Sequence, residues 1–204
     1  MILWTIQEEC IYHMLLETGV YRCDPELCSM PEFRDEYDWL IRQMIKRVGP
    51  PPKGVTYPVW AWYQLEGKRR KPDLRRERWG YGLKGDKYYC LEIEIPDRDV
   101  LLSDFDAWSI ILNQGLLSDT EEEDEWLEAK YETLSPEEQQ QMKEKNWERA
   151  FDLTPLDTKW IRRGDWIQAT FWELRKEQIK AVRTFTAAGK YPSRPNDPRV
   201  LKVE

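Results

Sequence analysis

Glu173 closes an alternating segment, Trp166 to Trp172, and stands just before Arg175-Lys176-Glu177. A carboxylate at a strand end beside an aromatic ring suits a general base or a stabiliser of a developing sugar cation. The competing reading is a surface glutamate. The second candidate is the run Lys68-Arg69-Arg70-Lys71-Pro72-Asp73-Leu74-Arg75-Arg76. Its guanidinium groups offer paired donors to a phosphate, with Asp73 placed to orient Arg70 or Arg75. A solvated hairpin loop would have the same composition. The third is the aromatic run Tyr57, Trp60, Trp62 and Tyr63, rings able to stack on a base or a nicotinamide, or to fill a core. Glu92 and Glu94 share one strand face and suit a metal or an acid–base pair, although a solvated face explains them equally. With Asp73 they loosely resemble a carboxylate nuclease site, but Glu94 stands where that pattern has Lys. His13 is the sole histidine, which leaves a His-centred triad only if His13 is its base. Asp104 and Asp106 lie where a helix cap is expected.

These residues need a framework, and hydrophobic periodicity supplies one. Ile2–Ile6 reads as a strand and Glu8–Glu17 as a helix stopped by Gly19, with a short extended piece at Val20–Arg22. From Pro31 to Val48 a helical stripe runs through Phe33, Tyr37, Leu40, Ile41, Met44, Ile45 and Val48, ended by Gly49 and three prolines. Pro58–Leu65 and Tyr88–Ile95 alternate as strands. Val100–Leu102 is expected extended and Asp104–Asn113 helical. Asp119–Arg149 reads as a charged helical insertion, with a capping box at Ser135-Pro136-Glu137-Glu138. Trp166–Trp172 and Lys180–Thr186 complete the strands, and residues 187–204 read as a surface tail. The order β-α-α-β-β-α-α-α-β-β does not alternate strictly. It predicts a single α+β domain over residues 1–186, with a bent, mainly antiparallel sheet.

The totals limit the ligand classes. Net charge is −7, with eleven Trp in 204 residues. Residues 66–87 hold nine Lys/Arg against four Asp/Glu, whereas residues 119–145 hold three against eleven. A local basic field suits a nucleotide or nucleic acid, while the acidic whole argues against tight nonspecific duplex binding. Cys10, Cys23, Cys28 and Cys90 have no Cys-x-x-Cys spacing, and with one histidine no metal site is expected. Free thiols in a reducing cytoplasm are the expectation. No run approaches the roughly 18 apolar residues of a membrane span, and the acidic start does not read as a signal peptide. Walker, Gly-x-Gly-x-x-Gly and Gly-x-Ser-x-Gly motifs are absent.

Five blocks, Leu3-Trp4-Thr5-Ile6-Gln7, Tyr57-Pro58-Val59-Trp60-Ala61-Trp62-Tyr63, Arg70-Lys71-Pro72-Asp73-Leu74-Arg75, Leu101 to Trp108, and Gln168 to Leu174, resemble the signature of a bacterial and phage family of unknown function. That resemblance supplies no activity. The opening strand, helix and Thr18-Gly19-Val20 also resemble the start of small ADP-ribosyltransferases that modify nucleic acids. Those carry His or Arg where this chain has Thr5 and Gln7. What this second resemblance implies is a split sheet holding NAD. Thr5, Gln7 and Arg22 would sit on the adenosine-ribose side, and Trp62 or Tyr63 on the nicotinamide. Glu173 would be the catalytic carboxylate, with Gln168 or Thr170 as alternatives for its place, and Gln168 would otherwise contact the NAD. Arg70, Lys71, Asp73, Arg75 and Arg76 would guide a nucleic-acid or phosphorylated acceptor, and a neutralising partner protein would be plausible. The rival expectations are a non-catalytic nucleotide- or protein-binding module and, third, a metal-dependent nuclease.

Overall fold

The computed structural model describes residues 1–23 and 31–189. Its centre is a six-stranded sheet in the order β10-β4-β1-β3-β8-β5, with every neighbouring pair antiparallel. The strands are β1 (Ile2–Glu8), β3 (Val59–Gln64), β4 (Lys87–Glu94), β5 (Leu101–Asp104), β8 (Ile167–Phe171) and β10 (Ile179–Thr186). Two small ribbons lie apart, β2 (Val20–Tyr21) with β9 (Leu174–Arg175) and β6 (Leu156–Asp157) with β7 (Arg162–Arg163). The helices are α1 (Glu9–Thr18), α2 (Arg34–Arg47), α3 (Leu74–Glu77), α4 (Phe105–Leu112), α5 (Glu121–Glu132) and α6 (Pro136–Trp147). This is the α+β class with an antiparallel sheet that the element order predicts.

The period-two alternation sorts side chains onto two faces. Leu3, Val59, Ala61, Leu91, Ile93, Ala169 and Phe171 point to one face and bury with Leu15 of α1. The other face is covered on its β8–β5 side by α2, α4 and α6. There Trp39, Leu40, Met44, Trp108, Ile111 and Trp147 make a second core. The stripe of α2 is rotated from the expected one: Trp39 is 1% exposed and Ile45 is 45% exposed. The bulky indole takes the inward position because it meets Trp147 edge-on, ring centres 5.5 Å apart.

Residues 119–149 are more tightly joined to the body than an insertion would be. Trp147 and Leu127 are buried, and the Trp147 indole donates to the Gly115 carbonyl at 2.8 Å. Arg149 pairs with Glu123 at 2.6 Å and Asp119 at 3.0 Å, and its hydrogen bonds hold the Glu123 carboxyl below its usual value. The Ser135 capping box forms as predicted. Cys23 is disulfide-bonded, which corrects the expectation of four free thiols; Cys10 and Cys90 are free. Among the described residues no helix is long and apolar enough to cross a membrane. The predicted surface tail begins instead as part of the body: Ala187 is buried and bonded to Asp86, and Ala188 is bonded to Arg78, while residues 190–204 lie outside the described residues.

Candidate ligand cleft

The sheet is nearly split at one seam. β1 pairs with β4 through seven positions, Ile2↔Glu94 to Glu8↔Tyr88. With β3 it is in register only at Trp4↔Trp62. Beyond that rung the two strands separate, and local chemistry shows why. The Thr5 hydroxyl donates to the Trp60 carbonyl at 2.8 Å, a side chain filling a ladder position. Gln7 Nε2 then donates to Thr5 Oγ1 at 2.6 Å. Pro58, just ahead of β3, has no N–H to offer a neighbouring strand, and Tyr57 pairs instead with Cys23 in an isolated bridge.

The gap holds a cavity of about 250 Å³. Trp4, Trp60, Trp62, Tyr21 and Tyr81 give it aromatic walls, and Gln7 and Gln168 add amides. None of the described residues lining it carries a charge. Tyr81 reaches the cleft from the loop after α3, and burial pushes its phenol well above the usual value. Gly82 permits that approach: it has φ +48°, and a Cβ there would lie 2.3 Å from the Tyr88 hydroxyl. Along the same sheet face run Glu92, Trp4, Trp62, Gln168 and Ser103 in register. The Trp4 indole donates to Glu92 at 3.1 Å. Gln168 Oε1 and Ser103 Oγ are buried without a hydrogen-bond partner. Such orphan polar atoms are uncommon in folded proteins.

Of the residues expected to hold a nucleotide, Gln7, Trp62 and Gln168 line this cleft, and Thr5 braces Gln7. Tyr63 does not join them. It points to the opposite face, where the Arg69 guanidinium lies 3.5 Å from its ring centre. Arg22 and Glu173 are placed together but elsewhere. Glu173 is 8% exposed, takes Arg22 at 3.0 Å, and is also bonded by Arg175. It lines a separate cavity with Trp172, Gly49 and Pro50. Sequence reasoning missed Trp4, Tyr21 and Tyr81. The signal for Tyr81 was an aromatic residue between two glycines, Gly80 and Gly82.

The basic cluster gathers beyond Trp62, and three of its arginines are paired with carboxylates within it. Arg70 and Arg76 both engage Glu66, and Arg75 makes a two-point pair with Asp73 at 2.9 and 2.8 Å. These bonds hold the Asp73 carboxyl down at about 2. Glu92 and Glu94 serve Trp4 and Lys180, and no group of three or more His, Cys, Asp or Glu among the described residues is placed to hold a metal. His13 is an exposed neighbour of Glu9, and Asp104 caps α4 while also accepting from the Gly164 amide at 2.7 Å.

No curated protein and no solved structure shows a significant match to this chain. A family model described as "Domain of unknown function (DUF3841)" matches residues 2–180. The five sequence blocks, and the strands and cleft they build, all lie within that span, and the chain belongs to the DUF3841 family.

Proposed function

We propose that this chain is a nucleotide-binding module that holds a planar heterocycle in the gap between β1 and β3. The observation that carries this reading is the lining of the gap: five aromatic residues, two amides and no charge among the described residues. Flat rings gain from stacking on indole and phenol faces whatever their substituents, and amides supply the few polar contacts that fix orientation. Cleavage of a glycosidic bond needs more, because charge developing on the sugar must be met by a positioned carboxylate. The described lining has none, which favours binding over transfer.

The experiment is a calorimetric titration with NAD and with nucleosides, repeated on Trp62→Ala. Saturable binding weakened by the substitution is expected; no binding at millimolar concentration would reject the reading. A second reading, NAD-dependent ADP-ribosyl transfer through Glu173, is favoured by the split sheet itself. It requires nicotinamide release from NAD that is lost in Glu173→Gln.

A further inference from the structure

The hairpin turn after β3 contains an unusual residue choice. Leu65 and Lys68 exchange backbone hydrogen bonds at 3.0 and 3.1 Å around Glu66 and Gly67. Both central residues have positive φ, 51° and 68°. Asn-Gly is the ordinary pair for such a turn, because asparagine tolerates the left-handed region and glutamate does not favour it. Here the strained position holds a carboxylate against two guanidinium groups, Arg70 and Arg76. All three line a cavity of about 210 Å³ with Lys71, Asp73, Glu77 and Trp166. One pair of rings in contact links that cavity to the ligand cleft: Trp166, which lines the cavity, lies 5.9 Å, centre to centre, from Trp62, which lines the cleft.

We propose that the ligand of the β1/β3 gap is phosphorylated, and that its phosphate occupies the Arg70–Arg76 pocket by displacing Glu66. This rests on the reading of the gap as a ring site. The Glu66 carboxylate is the stand-in anion of the free protein. Its displacement is easy because the groups are open to solvent, with Glu66 41%, Arg70 46% and Arg76 69% exposed. Exposed ion pairs contribute little to stability. A phosphate brings about −2 charge and three acceptor oxygens to the same two forks, so it outcompetes a single carboxylate. Lys71 adds a third cation. The two other acids of the pocket oppose this weakly. Asp73 is already committed to Arg75, and burial raises the Glu77 carboxyl so that it gives up its proton less readily.

The test compares four nucleosides (adenosine, guanosine, cytidine, uridine) with their 5′-monophosphates by calorimetry on three proteins. These are the wild type, Glu66→Asn and the double variant Arg70→Ala/Arg76→Ala. Glu66→Asn removes the carboxylate and installs the residue the turn prefers, so its folding is secure. At least one monophosphate should bind the wild type more tightly than its nucleoside. That ratio should rise about tenfold in Glu66→Asn and fall close to one in the double variant. Equal affinity of every nucleoside and its monophosphate for both wild type and Glu66→Asn would overturn the phosphate assignment and leave the ring site standing. Failure of all eight compounds to bind would overturn both.

Discussion

The molecule uses tryptophan in two ways, on two sides of one sheet face. Under the helices, Trp39, Trp147 and Trp172 give their indole N–H groups to main-chain carbonyls, those of Glu144, Gly115 and Gly49. Each ties a loop or helix end to the core. At the seam, Trp4 gives its own to the Glu92 side chain, and Trp62 is held by edge-on ring contacts with Phe105 and Trp166. Main-chain partners fix backbone position, whereas side-chain partners orient a ring. One set therefore holds the fold and the other shapes the walls of the cleft.

The sharpest way to break this comparison is to remove one ring from each set. Trp147→Ala should cost about 3–5 kcal/mol in chemical denaturation, the range for deleting a fully buried large aromatic. Trp62→Ala should cost clearly less stability and weaken ligand binding by about 1–3 kcal/mol, the usual loss on removing a stacking ring. A stability loss equal to that of Trp147→Ala would place Trp62 with the structural set.

Smaller effects sharpen the helix side. Glu36 on α2 is 2% exposed, with Oε2 unpartnered, and burial raises its carboxyl above the usual value. The folded state thus favours the protonated form. Its contribution is full below the unfolded value and is lost as pH rises through the folded one. Glu36→Gln should therefore gain about 1 kcal/mol at pH 7 and nothing near pH 4; denaturation at the two pH values reads the difference. Ser135→Ala removes the cap at the far end of the helix that ends in Trp147. It should cost about 0.5–1 kcal/mol. A loss comparable to that of Trp147→Ala would mean that the cap, not the indole, holds α6.

Local signals were legible in the sequence. The alternation of β3 and β4, the stop at Gly19 and the capping box at Ser135 all read directly, because each is decided within a few residues. The face shared by Trp62 and Gln168 depends on strand pairing across more than a hundred positions, and no local pattern encodes it. Glu173 illustrates the same limit: Arg22, which engages it, is 151 residues away. The pairing within the basic cluster was partly visible, since Glu66 and Arg70 are four apart, but the turn that brings Arg76 to the same carboxylate was not. The rotated stripe of α2 follows from Trp147, whose segment reads as too charged to belong to a core.

The near-absence of pairing between β1 and β3 also bears on how the chain assembles. The seam separates β10, β4 and β1 from β3, β8 and β5. Neither trio is a continuous stretch of chain, since the first draws on residues 2–8, 87–94 and 179–186 and the second on residues 59–64, 101–104 and 167–171. The weakest line in the sheet is therefore not a place where the polypeptide can be divided. Each half waits for a strand from near the end of the described chain, so the first trio closes only once β10 has been synthesised.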